Sequence, residues 1–436
     1  MNIERSLLYQ RILMFTLIVN SVAGVITDEV FDSLAMRNTI QLGVDAVFVM
    51  IGLLTLRRWV DLVPLALFIV IGYISSIKGN GLSIVFFANG SRDFISLLFI
   101  PPIIRYFNEN EFRRQRFIRA FDRWLFLFLC LQFPTIIFQF LKYKAGDHVG
   151  GTLGNLNSGN ISILIYLISF YLIRKRFDPD HFFYSLYQNK IYLILLLPTF
   201  LNETKVSLVF LVMYFGLLIT IDRKFFVRMM YIFPAILVVL TVGIALYTHF
   251  TDQAEFDVTD PEFIERYLFT DPEEAEGYAK WEQDRNAIPD VPRVTKLIML
   301  GWLEEDNPGH LTMGYGVGQF KGGSTLQTSE FANEYDWLLC GTIPYVFHMM
   351  IQLGIIGMVW LVFVLLINFG VFFHRRRIDY NIQLYILGLI LIIMFYNDSL
   401  RYTYVMMPMM YMLINSYYSP KEADSEPNTD ASHQIN

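Results

Sequence analysis

The chain has 436 residues, of which 54% are hydrophobic and only 17% are charged, and its net charge is −6. A soluble domain carries about 25% charged residues, so the composition excludes an ordinary soluble protein. The two cysteines, Cys130 and Cys340, fall in or beside different apolar runs, so the sequence implies no disulfide framework.

Long apolar runs recur along the whole sequence, as is typical of helices that cross a hydrocarbon core about 30 Å thick. The first run continues directly from MNIERSLLYQR without a cleavage site, which indicates a retained first span. The sequence therefore predicts an all-α, polytopic transmembrane helical bundle of about twelve spans. We expect one integral membrane domain over residues 1–418 and a disordered cytoplasmic tail over 419–436. The predicted spans lie near residues 7–26, 39–55, 60–77, 82–104, 123–141, 159–173, 190–201, 205–221, 225–250, 342–373, 382–396 and 400–418.

The charges of the short loops predict the orientation of the bundle. Basic residues occupy every second loop, and basic loops mark the cytoplasmic side of a membrane protein. The alternate loops are acidic or nearly neutral, so both termini are expected in the cytoplasm. The basic segments are LRRW (56–59), RYFNENEFRRQRFIR (105–119), RKRF (174–177), DRKFFVR (222–228) and HRRR (374–377).

One long connection, residues 251–341 between the ninth and tenth predicted spans, falls outside the cytoplasm in this topology. It holds 19 Asp and Glu residues against 6 Lys and Arg, which fits an external segment, although such a loop can also be plain solvated surface. Its second half predicts a short amphipathic helix behind Pro292, which we expect to lie over the membrane face and cover a cavity. The apolar residues of this helix are Val294, Leu297, Ile298, Leu300 and Trp302.

Five polar residues are predicted at the outer side of the bundle. Charges within spans cost at least about 2.5–3.5 kcal/mol each at the helix centre, and such residues usually face a cavity. The five are His348 in the outer part of the tenth span, Arg92 in the fourth, Lys205 at the start of the eighth, Arg401 at the start of the twelfth, and Arg293 at the start of the loop helix.

Together these residues describe a site with several cations and one titratable base. Arginine side chains bind phosphate or diphosphate with bidentate hydrogen bonds, and the helix N-terminus at Arg293 adds backbone donors. His348 is then the natural general base for a hydroxyl nucleophile.

Each residue also has a simpler explanation. His348 can be a satisfied core residue, Arg92 can pair with Asp93, and Arg293 can be an exposed helix residue. Lys205 and Arg401 can extend to the membrane interface.

Two further patterns argue against cofactors. GYGVGQFKGG (314–323) resembles a nucleotide loop but lacks the G-K-[ST] ending, so its glycines are expected only to allow tight turns. No His, Cys or carboxylate group has the spacing of metal ligands. We therefore expect neither a nucleotide, nor a metal, nor any other cofactor.

Four segments resemble the O-antigen polymerase and O-antigen ligase superfamily, integral membrane glycosyltransferases that use lipid-linked sugar donors. They occur in the order found in the family and lie in the middle and C-terminal half, whereas the first four spans match mainly by hydropathy. The segments are GTLGNLNSGNISILIYL (151–167), FLNETKVSLVFLV (200–212), PRVTKLIMLGWLEEDNPGHLTMGYGVGQF (292–320) and FHMMIQLGIIGMVWLVFVLL (347–366).

The resemblance implies a bacterial inner-membrane enzyme whose active site faces the periplasm. Its donor would be an undecaprenyl-diphosphate-linked glycan, and its acceptor a second glycan or a lipid A core. A chain-length regulator is an expected protein partner, and nucleic acid is not. Arg293 and His348 would be the active-site residues, with Lys205, Arg92 and Arg401 on the diphosphate. Lys205 departs from the family, which has arginine there, and Met349 stands where the family often has asparagine.

Two other functions stay open. A transporter, for example a flippase for the same lipid-linked sugars, fits about twelve spans equally well. The long outer loop and the absence of paired broken helices argue against it. A non-catalytic membrane scaffold would leave Arg92 unexplained.

Overall fold

The structure is a computed structural model that describes residues 3–80, 84–144, 146, 148–155, 157–178, 181–202, 206–218, 234, 291–320, 329–370 and 379–416. These residues form helices and connecting turns without a strand, which confirms the predicted all-α class. Numbered in chain order, the described α-helices are α1 Ile3–Val25, α2 Leu34–Thr55, α3 Trp59–Asn80, α4 Ile84–Ser91, α5 Ile95–Asn108, α6 Glu111–Tyr143, α7 Ser158–Arg174, α8 Phe182–Gln188, α9 Lys190–Ile194, α10 Val206–Leu218, α11 Arg293–Asp306, α12 His310–Met313, α13 Glu330–Glu334, α14 Tyr345–Asn368, α15 Tyr380–Tyr396 and α16 Thr403–Ser416.

Six described helical segments are long and apolar enough to cross a membrane, and α7, α10 and α15 are shorter apolar helices. The count of about twelve spans stays a prediction. The predicted ninth span, 225–250, lies outside the described residues apart from Pro234. The predicted seventh span is divided into α9 and a 3-10 turn, Leu197–Phe200, which contains Pro198. At 1.5 Å per residue this segment covers only about half of a hydrocarbon core, so it is not a full helical span.

Two membrane helices are interrupted. A 3-10 turn, Arg92–Phe94, separates α4 from α5, and α14 changes direction at Gly354, whose φ is 63°. The break in α14 releases backbone carbonyls, and these are satisfied from outside the helix. The Tyr315 N–H donates to the Ile351 carbonyl (2.6 Å), and the Ser75 hydroxyl donates to the Gln352 carbonyl (2.7 Å). Neither break was predicted, because hydropathy does not register a break in a continuous apolar run, and whether the two breaks form a pair in corresponding halves stays untested.

The helix ends place the basic connections and the site at opposite ends of the bundle. Arg105 at the end of α5 binds Asp61 at the start of α3 and Asn368 at the end of α14, and all three are buried. At the other end of α14, the Tyr345 N–H donates to the Asn397 carbonyl (3.0 Å). The two ends of α14 are therefore fixed by different sets of polar contacts, and the sidedness of the loops stays a prediction.

The predicted loop helix exists and begins at Arg293, directly behind Pro292. Of its predicted apolar residues, Val294 and Ile298 are 41% and 45% exposed. The buried stripe is instead Thr295, Lys296, Met299 and Leu303. Lys296 is included because its ammonium donates to the backbone carbonyls of Cys340 and Thr342, which compensate for its burial.

The glycine segment that follows packs against the backbone of the membrane helices. Gly314, Gly316 and Gly318 all have positive φ. A Cβ on Gly314 would lie 2.6 Å from the Gln352 backbone, and one on Gly318 would lie 2.3 Å from the Phe86 carbonyl oxygen. These glycines therefore serve a close approach of the loop to α14 and α4, which agrees with the prediction of tight turns.

Candidate functional site

The 3-10 turn between α4 and α5 directs two adjacent charged residues to different partners. Arg92 binds Asp45 of α2, with its Nε and Nη2 atoms 3.0 and 2.8 Å from the same carboxylate oxygen. Gln41 donates to the other oxygen of Asp45 (2.9 Å). The alternative pairing of Arg92 with Asp93 is not formed. Arg92 therefore has a resident carboxylate, which a bound anion would have to share.

Asp93 joins the histidine of α14 to the arginine of the 396–402 turn. Its carboxylate is buried, with one oxygen 3.5 Å from Nε2 of His348 and the other 4.0 Å from Nη1 of Arg401. These three residues are between 53 and 308 positions apart in the sequence. The fold thus brings together two of the predicted site residues through a carboxylate that the sequence analysis did not select.

Gln352 determines which nitrogen of His348 accepts a proton. The Gly318 N–H can only donate, and it donates to Oε1 of Gln352 (2.9 Å). The amide nitrogen of Gln352 therefore faces Nε2 of His348, 2.6 Å away. In neutral histidine, Nε2 must then be the hydrogen-bond acceptor. It is the atom that can take up a proton, with the Asp93 carboxylate beside it.

Aromatic rings surround His348 and exclude water from it. The imidazole is 1% exposed and lies 4.6 Å from the Phe320 ring and 6.0 Å from the stacked Tyr345 ring, measured between centroids. The Tyr345 hydroxyl is buried and has no hydrogen-bond partner among the described residues. Electrostatic interactions are stronger in such a dry environment than in water.

Arg401 is held by three groups at the start of α16. Its Nε lies 2.9 Å from Asp398, its Nη2 donates to the Tyr402 hydroxyl (2.7 Å), and Asp93 lies on its far side. The side chain is nevertheless 25% exposed. Arg401 is therefore oriented by its neighbours and still accessible, and the explanation that it only extends to the membrane interface does not account for its contact with Asp93.

Arg293 reaches the same turn from the loop. Its guanidinium carbon lies 4.5 Å from the centroid of the Tyr396 ring. Tyr396 directly precedes Asn397, whose carbonyl accepts a hydrogen bond from the N–H of Tyr345, the first residue of α14. Lys296, one helical turn further along α11, binds the carbonyls of Cys340 and Thr342 just ahead of α14. The loop helix and the helix of His348 are thus tied together near the site.

Amide and hydroxyl side chains form a layer beside these charges. Asn157 and Asn160 at the start of α7 both bond to the Tyr404 hydroxyl (3.2 and 3.1 Å), and Asn160 also binds Ser399. The preceding GTLGN segment is fixed by Gln132 and Gln139 of α6. The first segment of the family resemblance therefore lies against the 396–402 turn.

Glu304 fixes the turn that carries the chain from α11 back to α14. Its carboxylate accepts from the backbone N–H groups of Gly309 (2.7 Å) and Leu311 (2.6 Å). These bonds favour the ionised form and lower the pKa of Glu304, so it stays charged at neutral pH. The pKa of Tyr315, which stacks on His310 in the same turn, is raised to about 12 by burial.

Of the five predicted site residues, His348 and Arg401 share the Asp93 carboxylate, Arg293 lies over Tyr396 at the same end of the bundle, and Arg92 lies beside Asp93 but binds Asp45. Lys205 lies outside the described residues. Sequence analysis missed Asp93, Gln352 and Asp398. Intramembrane polarity is the signal that could have found them, since each stands in or next to an apolar run.

No protein-family model matches the chain, and no curated protein matches it either. The resemblance to the O-antigen polymerase and ligase superfamily therefore rests on the four quoted segments alone.

Proposed function

We propose that the protein is a membrane glycosyltransferase that moves a glycan from a polyprenyl diphosphate to a sugar hydroxyl, as a polysaccharide repeat-unit polymerase or an O-antigen ligase. The proposal includes a bacterial inner membrane location with the site on the periplasmic side. The observation that carries it is the contact of His348 with Asp93, with Arg401 on the second oxygen of the same carboxylate.

His348 and Asp93 have the chemistry of a general base and its partner. The acceptor hydroxyl would give its proton to Nε2 of His348 as its oxygen bonds to the anomeric carbon of the donor sugar. Protonated Nε2 can no longer accept from Gln352, and Asp93 becomes its charge-assisted partner. Asp93 would thus stabilise the imidazolium as it forms, without itself taking the proton.

The arginines have the chemistry of a leaving-group site. As the new bond forms, the bond between the anomeric carbon and the diphosphate oxygen breaks, and the polyprenyl diphosphate leaves with the electron pair. Arg293, at a helix N-terminus, and Arg401, which is partly exposed, could neutralise the charge that develops on that oxygen. Lys205 and Arg92 are further proposed contacts of the diphosphate. Arg92 would act there together with Asp45.

A transporter of the same lipid-linked sugars is the second candidate, and the interrupted helices α4–α5 and α14 favour it, because broken membrane helices often form transport sites. An external loop tied to His348 through Gly318 and Gln352 favours the enzyme instead. A transporter forms no bond to an acceptor hydroxyl, so it does not need a base placed to deprotonate one.

Turnover of a defined donor separates the two candidates. The purified full-length protein, supplied with a polyprenyl-diphosphate oligosaccharide and a sugar acceptor, is expected to release polyprenyl diphosphate and extend the acceptor without added nucleotide. Mass spectrometry of the lipid and glycan products measures both. Movement of intact donor across liposomes without any release would instead identify a transporter.

Asp93→Asn should lower the transfer rate about 10- to 150-fold, the range expected for losing a hydrogen bond to a charged group. The amide is nearly the same size but cannot neutralise the imidazolium. Asp178→Asn is the matched control, since Asp178 pairs with the exposed His181 (2.8 Å) away from the site. Equal rates for both variants would remove Asp93 from the proposed mechanism.

A further inference from the structure

A continuous line of contacts leads away from the Asp93 carboxylate along one end of the bundle. Arg401, beside Asp93, donates to the Tyr402 hydroxyl (2.7 Å). The Tyr402 ring stacks on the Tyr404 ring, with centroids 5.2 Å apart and planes 15° apart. The Tyr404 hydroxyl in turn donates to the side-chain oxygen of Asn157 (3.2 Å). Aromatic and amide groups therefore adjoin the proposed reaction site.

Asn155, two residues before Asn157, continues the line. Its carbonyl accepts from the Asn157 amide (3.2 Å), and its backbone N–H donates to the Asp28 carboxylate (2.7 Å). Asp28, in the π-helical turn after α1, also binds Arg37 of α2 (3.1 Å). We call this line beyond Arg401 the polar strip, and its residues are Tyr402, Tyr404, Asn157, Asn155, Asp28 and Arg37.

The polar strip is accessible along part of its length. Tyr402, Tyr404 and Asn155 are each partly exposed, and the Arg37 side chain is 31% exposed. The side-chain oxygen of Asn155 is shielded from solvent and has no hydrogen-bond partner among the described residues. A shielded acceptor without a donor is unfavourable, so a ligand hydroxyl that donated to it would be stabilised. The Tyr402 hydroxyl accepts from Arg401 and keeps its own proton to donate.

The composition of the polar strip indicates the class of ligand. Its two charges, Arg37 and Asp28, neutralise each other, and its other members are phenol rings and amides. Small-molecule sites typically combine aromatic walls with a few fixed polar groups. The C–H face of a sugar ring can pack on an aromatic face while its hydroxyls bind amide and phenol groups. The polar strip is therefore suited to a neutral sugar and not to an anionic one.

We propose that the polar strip binds one neutral hexopyranose ring of the glycan. The ring lies on the exposed faces of Tyr402 and Tyr404, and one of its hydroxyls donates to the Asn155 side chain. The inference rests on the proposed function, because it assigns a sugar to a protein that moves glycans, whereas sugar binding itself needs no turnover. Donor and acceptor glycans both contain such rings.

The test is saturation-transfer NMR of the full-length protein in detergent with the methyl glycosides of glucose, galactose, mannose and N-acetylglucosamine. We expect at least one of them to bind, and methyl glucuronide to bind more weakly. Tyr404→Leu should weaken binding about two- to tenfold, the range for one aromatic contact. Tyr404→Phe keeps the ring and should retain most of the affinity. Tyr184→Leu, which changes an exposed tyrosine of α8, is the matched control and should bind like wild type.

A second variant is expected to gain binding, which a misfolded protein would not do. Asp28→Asn keeps the size of the side chain and leaves Arg37 without its carboxylate. Methyl glucuronide should then bind up to about fivefold more tightly, the contribution of a partly exposed ion pair. An unchanged affinity for the glucuronide would show that Arg37 does not face the ligand and would remove it and Asp28 from the site.

A polyprenyl-diphosphate N-acetylglucosamine, added to His348→Gln so that turnover is suppressed, distinguishes the two glycans. Displacement of the methyl glycoside would assign the ring to the donor, and its retention would assign the ring to the acceptor. The proposal is overturned if wild type binds no neutral glycoside, if it binds the glucuronide equally well, or if the Tyr404 and Tyr184 variants lose affinity equally. Failure of the proposed function is a separate result, in which wild type binds the glycosides but transfers no glycan.

Discussion

His348→Gln is expected to lower glycan transfer by at least about 100-fold, the usual contribution of a general base. Glutamine can still form a hydrogen bond in the pocket between Phe320 and Tyr345, but it cannot take up a proton. The diphosphate contacts are unchanged, so the donor should bind with nearly normal affinity. Single-turnover rates at saturating donor, measured with a separate donor-binding titration, distinguish the chemical step from binding.

The matched control is His181→Gln, which alters an exposed histidine that also pairs with an aspartate. It should leave the rate unchanged. A wild-type rate for His348→Gln in the donor-saturated assay would show that His348 is only a satisfied polar residue near the start of α14.

Gln352 gives this prediction a second readout. It holds the lone pair of Nε2 in the neutral imidazole and is itself held by Gly318. For wild type, the transfer rate should rise with pH as the imidazole of His348 loses its proton, and then level off, because only the neutral imidazole can act as the base. Gln352→Met keeps the volume of the side chain and removes its hydrogen bonds, so it should alter this pH profile as well as the rate. A merely structural role for Gln352 would change stability and leave the profile in place.

The sequence predicted much of the fold because membrane helices are determined mainly by apolar length. Thus α1, α2 and α3 lie close to their predicted spans, and Pro292 marks the start of α11. The breaks were not predictable in the same way. Gly354 stands in a continuous apolar run, and its φ follows from the close approach of residues 312–315, a tertiary contact. The 3-10 turn at Arg92–Phe94 likewise depends on partners far along the chain.

The candidate site was predicted in part for a related reason. Arg92 and Asp93 are adjacent in sequence, and Arg92 was selected because a positive charge suits a diphosphate. A tertiary arrangement decides their roles, since Asp45 of α2 takes Arg92 and leaves Asp93 for His348 and Arg401. Lys296 is a second example of a tertiary contact that the sequence does not reveal. An apolar pattern places a lysine on the exposed face of a helix, and only the hydrogen bonds to the carbonyls of Cys340 and Thr342 explain its burial.

Arg293→Ala is expected to lower glycan transfer by about 100- to 1000-fold, as for the loss of one preorganised donor to a developing oxyanion. Arg293 stands in the first turn of α11, and the N-terminus of a helix presents backbone N–H groups that have no acceptor within the helix and are suited to an anion. Its guanidinium lies over Tyr396 and is therefore oriented before the donor binds. The alanine variant loses both the charge and the donors at that position.

Protein abundance and melting temperature should stay near wild type, because Arg293 is only partly buried and the burial of α11 depends on Met299, Leu303 and Lys296. Arg119→Ala, which changes an exposed arginine of the basic segment at the other end of the bundle, is the control for a loss of charge.

Arg293→Lys keeps the charge without the planar guanidinium and should recover part of the transfer rate. Tyr396→Phe preserves the ring and should be tolerated, whereas Tyr396→Leu should lower transfer by releasing the guanidinium. Full transfer by Arg293→Ala would show that α11 serves packing only, and the leaving group would then depend on the other proposed contacts, Arg401, Lys205 and Arg92.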